Sequence, residues 1–200
     1  MNDSTMNRNH TEDTHERGVA LIVVILVMSF LLIIGLVLVT VTTTGTRVAG
    51  NVRGQQLAFN AAEAGFDATW KSIQNSFLND LWSTFNGHYV TEPIGIDDPI
   101  SDVYFRKLTD LELLNYIDGN GDGIADVGNV IFCRERYVLD TLGNLDPRYT
   151  YTCFLIDDEA AGGLPDAGDV LLICIGTAGT GNTMSTTRLE IELVIELAGT

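Results

Sequence analysis

Between Arg17 and Arg47 the chain carries no charged side chain, and from Val19 to Val41 it is almost wholly apolar, beginning Val-Ala-Leu-Ile-Val-Val-Ile-Leu-Val-Met-Ser-Phe-Leu-Leu-Ile-Ile-Gly-Leu-Val-Leu-Val. Roughly 20 apolar residues, each rising about 1.5 Å, cross the ~30 Å of bilayer hydrocarbon. A chain with this run is inserted in a membrane at some stage. A cleaved secretory signal has an apolar region of only about 7–15 residues and a basic start. This run is longer, and Met1 to Arg17 mixes Arg8 and Arg17 with Asp3, Glu12, Asp13 and Glu16. Basic residues barely fix the orientation, because Arg8 and Arg17 on one side face Arg47 and Arg53 on the other. A cytoplasmic N-terminus is the expectation.

Beyond the apolar run, Phe59, Ala62, Phe66, Trp70, Ile73, Phe77 and Leu81 recur three or four apart, as on one stripe of an amphipathic helix. Ala58, Ala61, Ala64 and Ala68 on the same helix are small enough for another element to approach closely. One helix from Val19 to about Phe77 would be on the order of 90 Å long. Gly35, Gly45, Gly50 and Gly54 each cost it about 1 kcal/mol relative to alanine. A break near Thr44-Gly45-Thr46 is the alternative to an unbroken spine.

Three ordered motifs carry a resemblance: Glu16-Arg17-Gly18-Val19-Ala20-Leu21-Ile22-Val23 opening the apolar run, then Arg47-Val48-Ala49-Gly50-Asn51-Val52-Arg53, then Gln56-Leu57-Ala58-Phe59-Asn60-Ala61-Ala62-Glu63-Ala64-Gly65. Residues 16–66 resemble the N-terminal region of the PilX family of type IV minor pilins. That resemblance implies a prepilin leader of residues 1–18, cut by prepilin peptidase between Gly18 and Val19 and followed by methylation of the new N-terminus. It also implies other pilins as partners, and residence in the inner membrane before assembly into a pilus. Major pilins usually carry a glutamate five residues after the cut, whereas Val23 stands here, which points to a specialised subunit. Glu63 reads either as a solvated helix carboxylate or as a subunit contact.

The chain has 11 basic and 27 acidic side chains, a formal net charge of −16 at pH 7. All lie beyond Val41 except the six already named in the first seventeen residues. Such a head repels nucleic-acid phosphates and anionic headgroups, so no nucleic-acid partner is expected. Residues 82–200 are long enough to bury one core. Val130 to Leu139, Tyr149 to Ile156, Val170 to Thr177 and Thr187 to Leu197 are β-branched and aromatic runs bounded by turn residues, hence strands. In the last, Leu189, Ile191, Leu193, Ile195 and Leu197 alternate with Arg188, Glu190, Glu192, Val194 and Glu196, giving one buried and one wet face. The expected fold class is α+β: a long N-terminal helix, residues 19–81 with 19–41 as its membrane or filament-core half, packed on an antiparallel sheet head. The pilin resemblance implies the same ladle shape.

Asp118-Gly119-Asn120-Gly121-Asp122-Gly123-Ile124-Ala125-Asp126 has oxygen ligands at alternate positions and a glycine at the sixth, as in an EF-hand loop. Position twelve is Asn129 rather than a bidentate glutamate, so the run resembles a compact extracellular calcium loop. Calcium would be held by the side chains of Asp118, Asn120, Asp122 and Asp126 and the carbonyl of Ile124. Asp157-Asp158-Glu159 or Asp97-Asp98 could complete the shell, and a plain Gly/Asn/Asp turn is the alternative.

Cys133, Cys153 and Cys174 fall on three successive strands, with turns expected at Gly143-Asn144 and near Gly163-Leu164. Only two can pair: Cys133 with Cys153 is preferred for its shorter, better marked turn, with Cys153–Cys174 or three buried thiols as alternatives. His10, His15 and His88 are isolated, so no catalytic set is expected and the chain is not read as an enzyme. Two functions of different class remain. One is a minor pilin that helps to initiate or cap a pilus, with a calcium-stabilised head and a possible part in adhesion; the other is an uncleaved, membrane-anchored calcium-dependent binding domain. A type II secretion pseudopilin is a third.

Overall fold

A computed structural model describes residues 12–157 and 169–194, with side chains for all of these except residues 12–18, 47 and 182. Residues 1–11 of the expected leader, the Asp158-Glu159 pair, the turn near Gly163-Leu164 and the strand end at Ile195–Leu197 lie outside the described residues. The elements run α1 (Glu12–Leu78), α2 (Asp110–Ile117), β1 (Val130–Arg136), β2 (Tyr149–Ile156), β3 (Asp169–Ala178), a 3-10 turn (Gly181–Thr183) and β4 (Ser185–Val194). The chain divides into two units at Gly50/Asn51.

The first unit is helix throughout its described part, with no break at Thr44-Gly45-Thr46. Its serine and threonine hydroxyls are satisfied within the helix: Ser29 donates to the Ile25 carbonyl, Thr42 to Leu38, Thr43 to Val39 and Thr44 to Thr40, at 2.8–2.9 Å. Back-bonding of this kind lets a polar run lie in apolar surroundings without stranded donors.

The second unit is built on the sheet β1-β2-β3-β4, antiparallel throughout. β2–β3 and β3–β4 pair without interruption, and β1–β2 carries two register shifts. One face of the sheet meets the last part of α1: Ile73 packs with Phe85, Tyr151, Cys153, Leu155, Val170, Leu172, Cys174 and Leu193. The helix turns Ala58, Ala61, Ala62, Gly65, Thr69 and Ile73 inward, all buried. The expected stripe is therefore shifted, for Phe59 and Trp70 are about two-fifths exposed and Leu81 lies past the helix end. Small residues face the sheet because the backbones nearly touch. A Cβ on Gly176 would land on Ala58 O and Ala62 N, and one on Gly65 would sit 2.7 Å from Cys153 Sγ. A left-handed Asp80 (φ 56) ends the helix, with the Leu81 and Trp82 amides turned back to the Ser76 carbonyl.

The opposite face is covered as well. Phe154, Ile156, Leu171, Ile173 and Ile175 pack against Leu113, Leu114 and Ile117 of α2 and against Val90, Ile96, Tyr104 and Phe105. β2 and β3 are buried on both faces, which explains why they read as continuous apolar runs. β4 keeps the alternation the sequence indicated, with Leu193 buried and Glu190 and Glu192 exposed. Arg188 departs from it: its guanidinium bonds Asp110 Oδ1 at 2.8 Å and the carbonyls of Phe105 and Leu108, locking α2 to the sheet edge.

Candidate functional site

The apolar segment is the first candidate. Among the described residues one helix is long and apolar enough to cross a membrane, with a mean hydropathy of 3.4 in its most apolar window. Every large apolar side chain from Val19 to Val41 is exposed, Val23 included. Gly35, Gly45 and Gly50 would meet nothing with an added Cβ, whereas Gly65 and Gly176 would collide. Gly18 and Val19 lie inside α1, which begins upstream at Glu12. Glu63 is exposed, on the side of α1 away from the buried Ala62 and Gly65.

The Asp118 loop is the second. α2 leads into it: Thr109 caps the helix in a capping box with Glu112, and Asp118 is the C-terminal cap, its amide bonding the Leu114 carbonyl. The sequence signal for this helix is Thr109-x-x-Glu112. Asp118 is almost wholly buried, and its carboxylate accepts the amides of Gly121 and Asp122 on Oδ1 and of Gly123 on Oδ2. Gly123, at φ +86, makes the tight turn. Asp126 Oδ2 accepts the Gly119 amide, and Asp122 accepts from Asn120 Nδ2 and from the Ile124 amide. The loop is thus closed on its own carboxylates and backbone amides.

The charges are met differently. Arg134 Nε lies 2.7 Å from Asp118 Oδ2, an ion pair of proximity rather than an aligned hydrogen bond, while Nη2 donates to the Asp118 carbonyl at 3.3 Å. Among the described residues no three carboxylates converge as a metal shell. A calcium ion on Asp118 would therefore displace Arg134. A cleft of about 500 Å³ beside the loop, lined by Asp122, Arg134, Arg136 and Thr177 among others, gives the guanidinium somewhere to go.

The cysteines are the third, and the structure holds all three as free thiols. The preferred pair, Cys133 with Cys153, is not brought together. Cys153 stands opposite Phe132, and the register shift between Val130 and Phe132 leaves Cys133, the next residue, with the α2-side cluster while Cys153 lies on the α1 side. Burial, with the Asp118 charge next, pushes the Cys133 thiol up to about 11. Cys153 and Cys174 are direct cross-strand partners on the α1 face, both wholly buried and lying beside each other in one cluster. The neighbouring Cys153 and burial push the Cys174 thiol far up, so it stays neutral.

Residues 17–67 match the family model described as PilX N-terminal. They form a PilX-like N-terminal region, and the match ends before the sheet begins. Comparison with curated proteins and with solved structures finds no match.

Proposed function

We propose that this chain is a minor pilin of a type IV pilus, processed by prepilin peptidase after Gly18 and then packed by its apolar helix among other pilins. The observation that carries this is the PilX-like region itself: it joins a helix exposed on every side from Val19 to Val41 to a small-residue face, Ala58 to Gly65, seated on a sheet. Among the described residues nothing covers the first half. Free in water it would expose far more contiguous apolar surface than a soluble monomer tolerates, so a bilayer and then a filament core are its environments. The head follows the helix out of the cytoplasm, and the chain helps to start or cap the pilus rather than to build its length.

Calcium belongs to this proposal as a ligand of the head. Asp118, Asn120, Asp122, Asp126 and the Ile124 carbonyl would hold it, and the wrapped backbone around Asp118 supports it. The ion would offset carboxylate repulsion in the loop, at the cost of the Arg134 contact.

N-terminal sequencing of the membrane and pilus fractions tests the function. A mature start at Val19, lost on changing Gly18 to a bulky residue, is expected. An intact Met1–Arg17 segment would instead favour the permanently anchored binding domain. Recovery with a secretion machinery rather than with pili would move the chain to the pseudopilins.

A further inference from the structure

We propose that Cys153 and Cys174 are joined in the mature protein by a disulfide across the middle of β2 and β3, sealed beneath α1. The two residues are Cα partners in an unbroken antiparallel register running from Tyr149↔Ala178 to Ile156↔Leu171. Directly opposed residues in such a pair stand about 4.5 or 5.5 Å apart at Cα. Both spacings fall within the ~4.4–6.8 Å that a disulfide spans. Both side chains point to the same face and belong to one buried cluster there. Cys133 cannot compete, because the register shift between Val130 and Phe132 has turned it to the other face.

The lid over this pair is the PilX-like helix. A Cβ on Gly65 would meet Cys153 Sγ, and the wholly buried Thr69, one turn on, stands beside Cys174. Both thiols are inaccessible in the folded head, and Cys174 is held neutral there, so the bond forms after β2 and β3 pair and before α1 docks. In that step each Sγ–H bond is lost and one Sγ–Sγ bond forms. The two electrons and two protons pass by thiol–disulfide exchange to a dithiol oxidase, whose own disulfide is reduced to two thiols. The inference rests on the pilin function, since only a head carried out of the reducing cytoplasm meets such an oxidant.

The full chain, purified in detergent without reductant, denatured and alkylated with N-ethylmaleimide, gives the test by peptide mass. Expected are one adduct, on Cys133, and a linked Cys153–Cys174 peptide pair that becomes two further adducts after reduction. Reductant should also lower the melting temperature by several degrees in the wild type and not in the double variant Cys153→Ala/Cys174→Ala. Three adducts without reduction, or a link that includes Cys133, overturns the proposal. A protease that cannot cross the membrane, added to intact spheroplasts, separates the two ideas. Three free thiols on a head it removes overturn the disulfide alone; three free thiols on a protected head overturn the pilin function as well.

Discussion

Arg134 reaches Asp118 through a bulge. Between Phe132↔Cys153 and Glu135↔Tyr151 the β1 strand has one residue too many for its partner, and Arg134 takes the left-handed conformation at φ 44. Its amide is caught by Thr152 Oγ1 at 3.0 Å, and its side chain is re-aimed at the buried carboxylate 2.7 Å away. Bulges commonly redirect a side chain in this way. The edge strand β1 is thereby also blunted against pairing with another chain.

In the proposed calcium site the ion would compete with Arg134 for Asp118. If calcium wins, ligand linkage stabilises the folded head by about 1–3 kcal/mol at millimolar concentrations and an extracellular-type Kd. The full chain in detergent should melt a few degrees higher in calcium than in EDTA. Asp122→Ala, at an exposed position in the loop, should erase the difference. Coincident melting curves from a folded wild type would leave the loop closed by Arg134 alone.

Removing the carboxylate tests the ion pair itself. Asp118→Ala strips the partners of three amides and leaves a guanidinium that is 22% exposed beside the hole. Breaking a fully buried pair costs about 3–5 kcal/mol, and the partial exposure of Arg134 lowers this to roughly 2–4. Arg134→Ala together with Asp118→Ala should cost less than the two single losses added, in chemical denaturation of the full chain. Strict additivity would show that the pair is not coupled.

Gly176 marks where β3 and α1 come closest. Any side chain there strikes Ala58 and Ala62 backbone and Ala61 Cβ, the last at 2.9 Å. Backbone cannot swing aside as a flexible side chain does, so Gly176→Val should cost about 1–3 kcal/mol or more. Gly50→Ala, which meets nothing, is the control and should leave the melting temperature of the head unchanged. Equal effects from both would refute the close helix–sheet approach.

The helix and the strand runs were legible because each rests on local periodicity: Val19–Val41 by length, β4 by alternation, β2 and β3 by apolar β-branched runs. What the sequence hid depends on three-dimensional closure. The shift of the buried helix face from Phe59 and Trp70 to Ala58, Ala61 and Gly65 follows from Gly176, a residue far along the chain. Neither register shift in β1 has a glycine or proline to announce it, and the first, between Val130 and Phe132, puts Cys133 on the opposite face from Cys153. The covered second face was missed because its main element, α2, is short and was marked chiefly by its capping box.

That capping box titrates. Glu112 is held below the usual carboxylate range, first by the Thr109 amide and then by the Thr109 hydroxyl. A folded-state pKa below the unfolded one gives stability that is present above the unfolded value and lost as pH falls through the folded one. The difference in melting temperature between wild type and Glu112→Ala should be full at pH 7 and shrink once the pH drops below about 4. A difference that persists unchanged well into acid would mean that the helix start does not depend on the charged carboxylate.

Val23 bears on copy number. After a cut at Gly18, the new amine on Val19 and the side chain of residue 23 stand four positions apart, on one face of the helix. In a pilin with a glutamate there, the carboxylate can meet an incoming subunit's amine inside the apolar filament core. With Val23 the core gains an amine and no partner carboxylate from this chain, and an unpaired buried ion costs several kcal/mol, about enough to bar repeated addition. The chain should therefore be a low-copy component by quantitative mass spectrometry of purified pili, and should form no filament when it is the sole pilin supplied to the assembly machinery. Its recovery as the main subunit of a filament would refute the specialised role.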